Sequence, residues 1–116
     1  MFVVLWEFDV KSECIDRFTT AYAANGDWAR LFAEDAKFCE TRLLQNISEP
    51  LRFVTMDIWE SRDDYERFLS EKAAAYGDLD AECADWTTSE RHLCWFDADA
   101  AELDVKRATI SLKSRI

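Results

Sequence analysis

The chain has 116 residues, 33% charged, 49% hydrophobic and 14% aromatic, with two Gly and one Pro. At this length roughly two-thirds of the unfolded surface can be buried, so one core forms without disulfide or metal staples; five Trp exclude a solvated coil. Twenty-four acids against fourteen Lys and Arg give a formal charge of −10, a field that repels phosphate and speaks against nucleic-acid or anionic-membrane partners.

In chain order, Phe2 to Val10 is rich in β-branched and aromatic residues and predicts strand one. No basic residue precedes its apolar start, and Glu7 interrupts it too soon for a signal-peptide core. With no stretch of bilayer-spanning length, a cytoplasmic protein is expected. Ser12 predicts an N-cap. Ile15, Phe18, Ala21 and Tyr22 then recur at helical spacing until Asn25-Gly26 closes the segment. Asp27 is placed to cap a shorter helix carrying Trp28, Leu31 and Phe32. Phe38 to Asn46 predicts strand two, Ser48-Glu49-Pro50 a turn, and Arg52 to Trp59 strand three.

Ser61 supplies a capping oxygen for the next helix, and Asp63 and Asp64 put negative charge beside its free N–H groups. Tyr65, Phe68, Leu69, Lys72 and Tyr76 form its stripe, and Gly77 is expected to break it. A further turn or two holds Leu79, Cys83 and Trp86, and Glu90 to Phe96 predicts strand four. The order β-α-β-β-α-β is that of a ferredoxin-like α+β domain, an antiparallel sheet with both helices on one face.

Such a sheet usually alternates apolar and polar residues, and these strands do not. Val4, Trp6 and Phe8 oppose Val3 and Leu5; Phe53 and Trp59 oppose Val54, Met56 and Ile58; Cys94 and Phe96 oppose Leu93 and Trp95. Two helices cover one face, so a second copy of the chain is expected on the other, giving a homodimer. Residues 1–96 form the domain and 97–116 a C-terminal extension. In it Asp97, Asp99, Glu102 and Asp104 precede Lys106, Arg107, Lys113 and Arg115. Residues 108–116 read equally as an edge strand, an arm reaching the partner or a frayed tail.

The run Phe53-x-x-x-Asp57-x-Trp59-x-Ser61, the pattern Trp28-x-x-Leu31-Phe32 and the element order resemble the antibiotic-biosynthesis-monooxygenase (ABM) type domains of the dimeric α+β barrel superfamily. The likeness covers roughly residues 2–96. It implies a homodimer whose sheets close into a barrel, with a pocket between each subunit's helices and sheet. Some relatives oxidise quinol-like aromatics with molecular oxygen and neither metal nor flavin, others cleave haem, and many have no assigned activity. The positions of the haem-cleaving relatives' strand-one Asn, helix-two Trp and iron-binding His fall at Trp6, Phe68 and Asp78 here, so haem cleavage is disfavoured. Relatives often have a Gly leading into strand two, where this chain has Lys37.

Oxygenation without a cofactor needs a base for a phenolic proton, an apolar pocket for the anion and hydrogen bonds to a developing peroxide. His92 is the one His and a candidate base, with Asp57 or Glu7 orienting it; an exposed or structurally bonded His is the alternative. Trp6, Tyr22, Trp28, Phe32, Phe68 and Tyr76 are the aromatics expected at the helix–sheet interface, lining a ligand pocket or simply packing the core. Arg42 and Arg52 would meet an anionic ligand or sit on a solvated edge.

Cys14, Cys39, Cys83 and Cys94 are too scattered for a metal motif and read as small apolar residues of a reducing compartment. No Gly-rich phosphate loop, nucleophile elbow or basic recognition patch is present, and no cofactor or metal is expected. The expected function is cofactor-independent oxygenation of a small aromatic or quinol. The alternative is a non-catalytic dimer that binds a small ligand or a protein.

Overall fold

The computed structural model describes residues 1–103, and the predicted edge strand or arm over 108–116 lies outside them. Strand β1 (Phe2–Val10) lies between β3 (Arg52–Trp59) and β4 (Thr87–Asp97), and β2 (Phe38–Gln45) lies beyond β3. Every pairing is antiparallel, giving the sheet order β2-β3-β1-β4. This is the expected ferredoxin-like α+β arrangement. Helices α1 (Ile15–Tyr22), α2 (Asp27–Phe32), α3 (Arg62–Glu71) and α4 (Ala73–Cys83) pack on one face, and a short α5 (Ala100–Leu103) follows β4.

The register fixes which side chains meet. Phe2, Val4, Trp6 and Phe8 of β1 stand opposite Trp59, Asp57, Thr55 and Phe53 of β3, all on the helix face. Trp59, Phe18 and Phe68 are wholly buried in that layer. On the opposite face Val3 and Ile58 are buried under Leu5, Met56, Cys39, Ala98 and Leu103, so the first turn after β4 covers part of the second apolar surface. Leu44 and Phe96 keep 48% and 49% of their surface exposed there.

The helix boundaries show where local signals held. Ser61 Oγ accepts from Asp64 N at 3.1 Å and caps α3 as expected. Ser12 caps nothing; it opens a single 3₁₀ turn, Ser12–Cys14, that leads into α1. Gly26 rather than Asp27 is the N-cap of α2, and Asp27 pairs with Arg30 one turn on. A β-carbon at Gly26 would lie 2.5 Å from the Ala21 and Thr20 carbonyl oxygens, so the α1–α2 junction closes only around glycine.

The second helical break falls at Lys72, not Gly77: α4 runs through Gly77, where nothing lies within 4 Å of an added β-carbon. Ala73–Ala75 have high helix propensity, and one exposed Gly costs only about 1 kcal/mol against that. Lys37 takes its turn without glycine because Asp35 Oδ1 accepts from Lys37 N at 2.9 Å, and Lys37 O accepts from Glu60 N at 3.0 Å. Strand four starts at Thr87, three residues earlier than predicted. Cys14 and Cys83 are buried, Cys39 is half-buried and Cys94 is exposed.

Candidate functional site

Between the helix layer and the sheet lies a cavity of about 260 Å³. Trp6 and Phe8 of β1, Thr41 of β2, Thr55 and Asp57 of β3 and Glu90 of β4 form its floor. Tyr22, Trp28, Phe32, Tyr65, Tyr76 and Asp80 close it from the helices. The walls are interlocked rings. Tyr22 stacks on Phe18 with centroids 4.1 Å apart, and Trp28 meets Tyr76 edge-on at 4.9 Å. The Trp28 indole N–H makes no hydrogen bond of normal geometry.

Asp57 is the polar centre of the floor. Strand alternation turns it toward the helices, between Thr55 and Trp59, and Thr41 Oγ1 across the β2–β3 ladder donates to its Oδ1 at 2.7 Å. Burial raises its pKa to about 6, against the pull of the Thr41 hydrogen bond. The cavity hydroxyls shift the same way: burial lifts Tyr65 to about 12 and pushes Tyr22 and Tyr76 further up. At neutral pH the site therefore joins a carboxyl that titrates near 6 to phenols that stay protonated.

Five of the aromatics singled out in the sequence meet at this cavity: Trp6, Tyr22, Trp28, Phe32 and Tyr76. Phe68 does not line it. Its ring is wholly buried behind Phe32 and Trp59, at 5.4 and 5.0 Å, as a packing residue. His92 is exposed on β4, with its ring 5.2 Å from Trp6 and 5.6 Å from Trp95, and is not among the lining residues.

The expected His92–Asp57 and His92–Glu7 pairings do not form. Strand β1 runs between β3 and β4, which puts the backbones carrying Asp57 and His92 about 10 Å apart. Glu7 points to the opposite face, where Arg91 Nη2 and Nε donate to its Oε1 at 2.5 and 3.0 Å. Arg42 and Arg52 also lie on that face, held by Glu40 and by Asp9 and Glu49.

The residues missed were Phe8, Thr41, Thr55, Tyr65, Asp80 and Glu90. A signal was present in strand three. Its core-facing set is Phe53, Thr55, Asp57, Trp59, and two polar residues on an inward face mark a place where packing is incomplete.

The family model described as antibiotic biosynthesis monooxygenase matches residues 1–76. The chain belongs to the antibiotic biosynthesis monooxygenase family. Solved structures share the fold. An antibiotic-biosynthesis-monooxygenase-type protein of Nitrosomonas europaea is 20% identical, with a TM-score of 0.65 over 84% of this chain and 98% of that one. SnoaB, a cofactor-independent oxygenase from Streptomyces nogalater, is 18% identical, with a TM-score of 0.64 over 84% of this chain and 92% of its own. A Deinococcus radiodurans family protein is 10% identical at a TM-score of 0.69, covering 85% and 93%. No curated protein sequence matches significantly. Among the described residues no helix is long and apolar enough to cross a membrane.

Proposed function

We propose that this family member oxygenates a small phenolic or quinol-type aromatic with molecular oxygen, using Asp57 as the base. The observation that carries this reading is a carboxylate with one hydrogen-bond donor, Thr41, facing a cavity walled for the most part by aromatic rings. An apolar protein cavity of about 150 Å³ accepts a benzene ring, so about 260 Å³ accommodates one or two fused rings.

Asp57 removes the phenolic proton, and the apolar walls leave the resulting anion electron-rich. A ring carbon that bears hydrogen bonds to one oxygen atom of O₂, and the proton on Asp57 passes to the distal oxygen. Loss of that carbon's hydrogen to Asp57 and of hydroxide from the O–O bond leaves a new carbonyl and one water. The protonated tyrosines of the cavity are the donors suited to steady the peroxide. Oxygen consumption with a panel of hydroquinones and naphthoquinols tests the reading. Turnover that falls about 100-fold or more in Asp57→Asn supports it; neither turnover nor ligand-induced stabilisation with any of them overturns it.

The same reading includes a homodimer formed through the sheet face that the helices leave open. Exposed Leu44 and Phe96 beside half-buried Leu5, Val54 and Met56 support it.

A further inference from the structure

Among the described residues three carboxylates line the cavity, and no Lys, Arg or His does. Asp57 lies level with Val4 on the β3 side, while Glu90 pairs with Phe8 on the β4 side and Asp80 comes from α4. Val4 and Phe8 are four residues apart, so the acids are separated by about 13 Å along β1. They do not converge as metal ligands would: among the described residues no three acid, His or Cys side chains could hold an ion.

The acids of the opposite face are treated differently. Glu7, Asp9 and Glu40 there are each held by an arginine. Among the described residues Asp80 and Glu90 have neither an ion pair nor a hydrogen bond, and burial, with the nearby Asp80 charge adding to it, shifts the Glu90 carboxyl upward. Two unneutralised carboxylates at one end of an aromatic-walled cavity are what recognition of an organic cation requires, since ring faces and carboxylates both attract it.

We propose that the ligand of this site is an aromatic that carries a cationic nitrogen, its ring system against Asp57 and its ammonium group between Asp80 and Glu90. This deepens the oxygenase reading by giving its substrate a charge, and it rests on that reading for the phenolic end alone. A neutral phenol fills the same walls without neutralising the two acids, and an anionic one meets three like charges.

Anaerobic titration of the protein's tryptophan fluorescence separates the two ideas, because it reads binding without turnover. The probes are tyramine, 4-ethylphenol and 4-hydroxyphenylacetate, which share a phenol and differ in charge. The expected affinity order is cation, neutral, anion, with about tenfold between tyramine and 4-ethylphenol. In Asp80→Asn/Glu90→Gln, both sites being surface-exposed, the tyramine to 4-ethylphenol ratio falls toward one. Equal affinity for all three probes, or an unchanged ratio in the double variant, overturns the charge preference and leaves the oxygenase reading standing. Binding of none of them also overturns the charge preference, while the oxygenase reading stands or falls on the quinol panel.

Discussion

Asp57 and Trp59 face the same way on β3, yet Trp59 is packed against Phe32, Phe38, Tyr65 and Phe68 while Asp57 has one hydroxyl partner and a cavity. Burying such a carboxylate with one partner costs stability. Its pKa is raised in the folded state, so ionised Asp57 opposes folding. The penalty is absent below about pH 4, grows as pH rises toward 6, and is complete above it. Asp57→Asn is therefore expected to gain about 1–2 kcal/mol at pH 8 and nothing at pH 4, measured by urea unfolding at both values. Turnover moves the other way. In the wild type kcat should rise with pH through about 6 and then level off, as the base loses its proton. His92, whose ring meets Trp6 at a tilt outside the lining, is a control for this assignment. His92→Ala should leave the pH profile in place and kcat within about threefold, because the imidazole lies outside the cavity lining. A profile that loses its rise near 6 in His92→Ala would transfer the role of base to the imidazole.

At the scale of elements, the two glycines make opposite predictions from their surroundings. Gly26→Ala forces a β-carbon against two backbone carbonyls that cannot swing aside, and should destabilise by about 1–3 kcal/mol. Gly77→Ala adds a methyl to open space inside α4, and should stabilise by about 0.5–1 kcal/mol, read from the same thermal or urea unfolding. The sequence alone does not carry this contrast, because a glycine reads as a helix breaker in both places. A helix end is set by capping and packing as well as propensity, and Lys72 leaves helical geometry five residues earlier. The strands were more legible. β1 and β3 match their predicted limits residue for residue, since β-branched and aromatic residues dominate both and turn residues flank them. The cavity was half legible. Its large rings stand out in any sequence, but Thr41, Thr55 and Glu90 enter only through strand register, which depends on pairings distant in sequence.

The whole molecule sorts its charges by face. Outside the cavity, Arg52 and Arg91 tie Asp9, Glu7 and Ser89 across β3, β1 and β4 at one end of the outer sheet face. Asp9 is held well below the usual carboxylate range by these arginines, so its contribution is present above about pH 4 and fades as acid protonates it. The other end of the same face is apolar, from Val3, Leu5, Met56 and Ile58 out to Phe96. A face divided into a charged half and an apolar half suits a two-fold contact, in which one patch meets its own copy and the ion pairs form the rim. α5 takes only part of the apolar half, and Phe96, the partner of Val3 in the ladder, stays half exposed at 49%. Sedimentation velocity at micromolar concentration is therefore expected to show a dimer. Phe96→Glu, which puts a charge into the contact without touching the helix-side core, should raise its dissociation constant about thirtyfold or more. A wild-type monomer at that concentration would remove the dimer. An unchanged dimer in Phe96→Glu, with the fold intact by circular dichroism, would move the contact to another face.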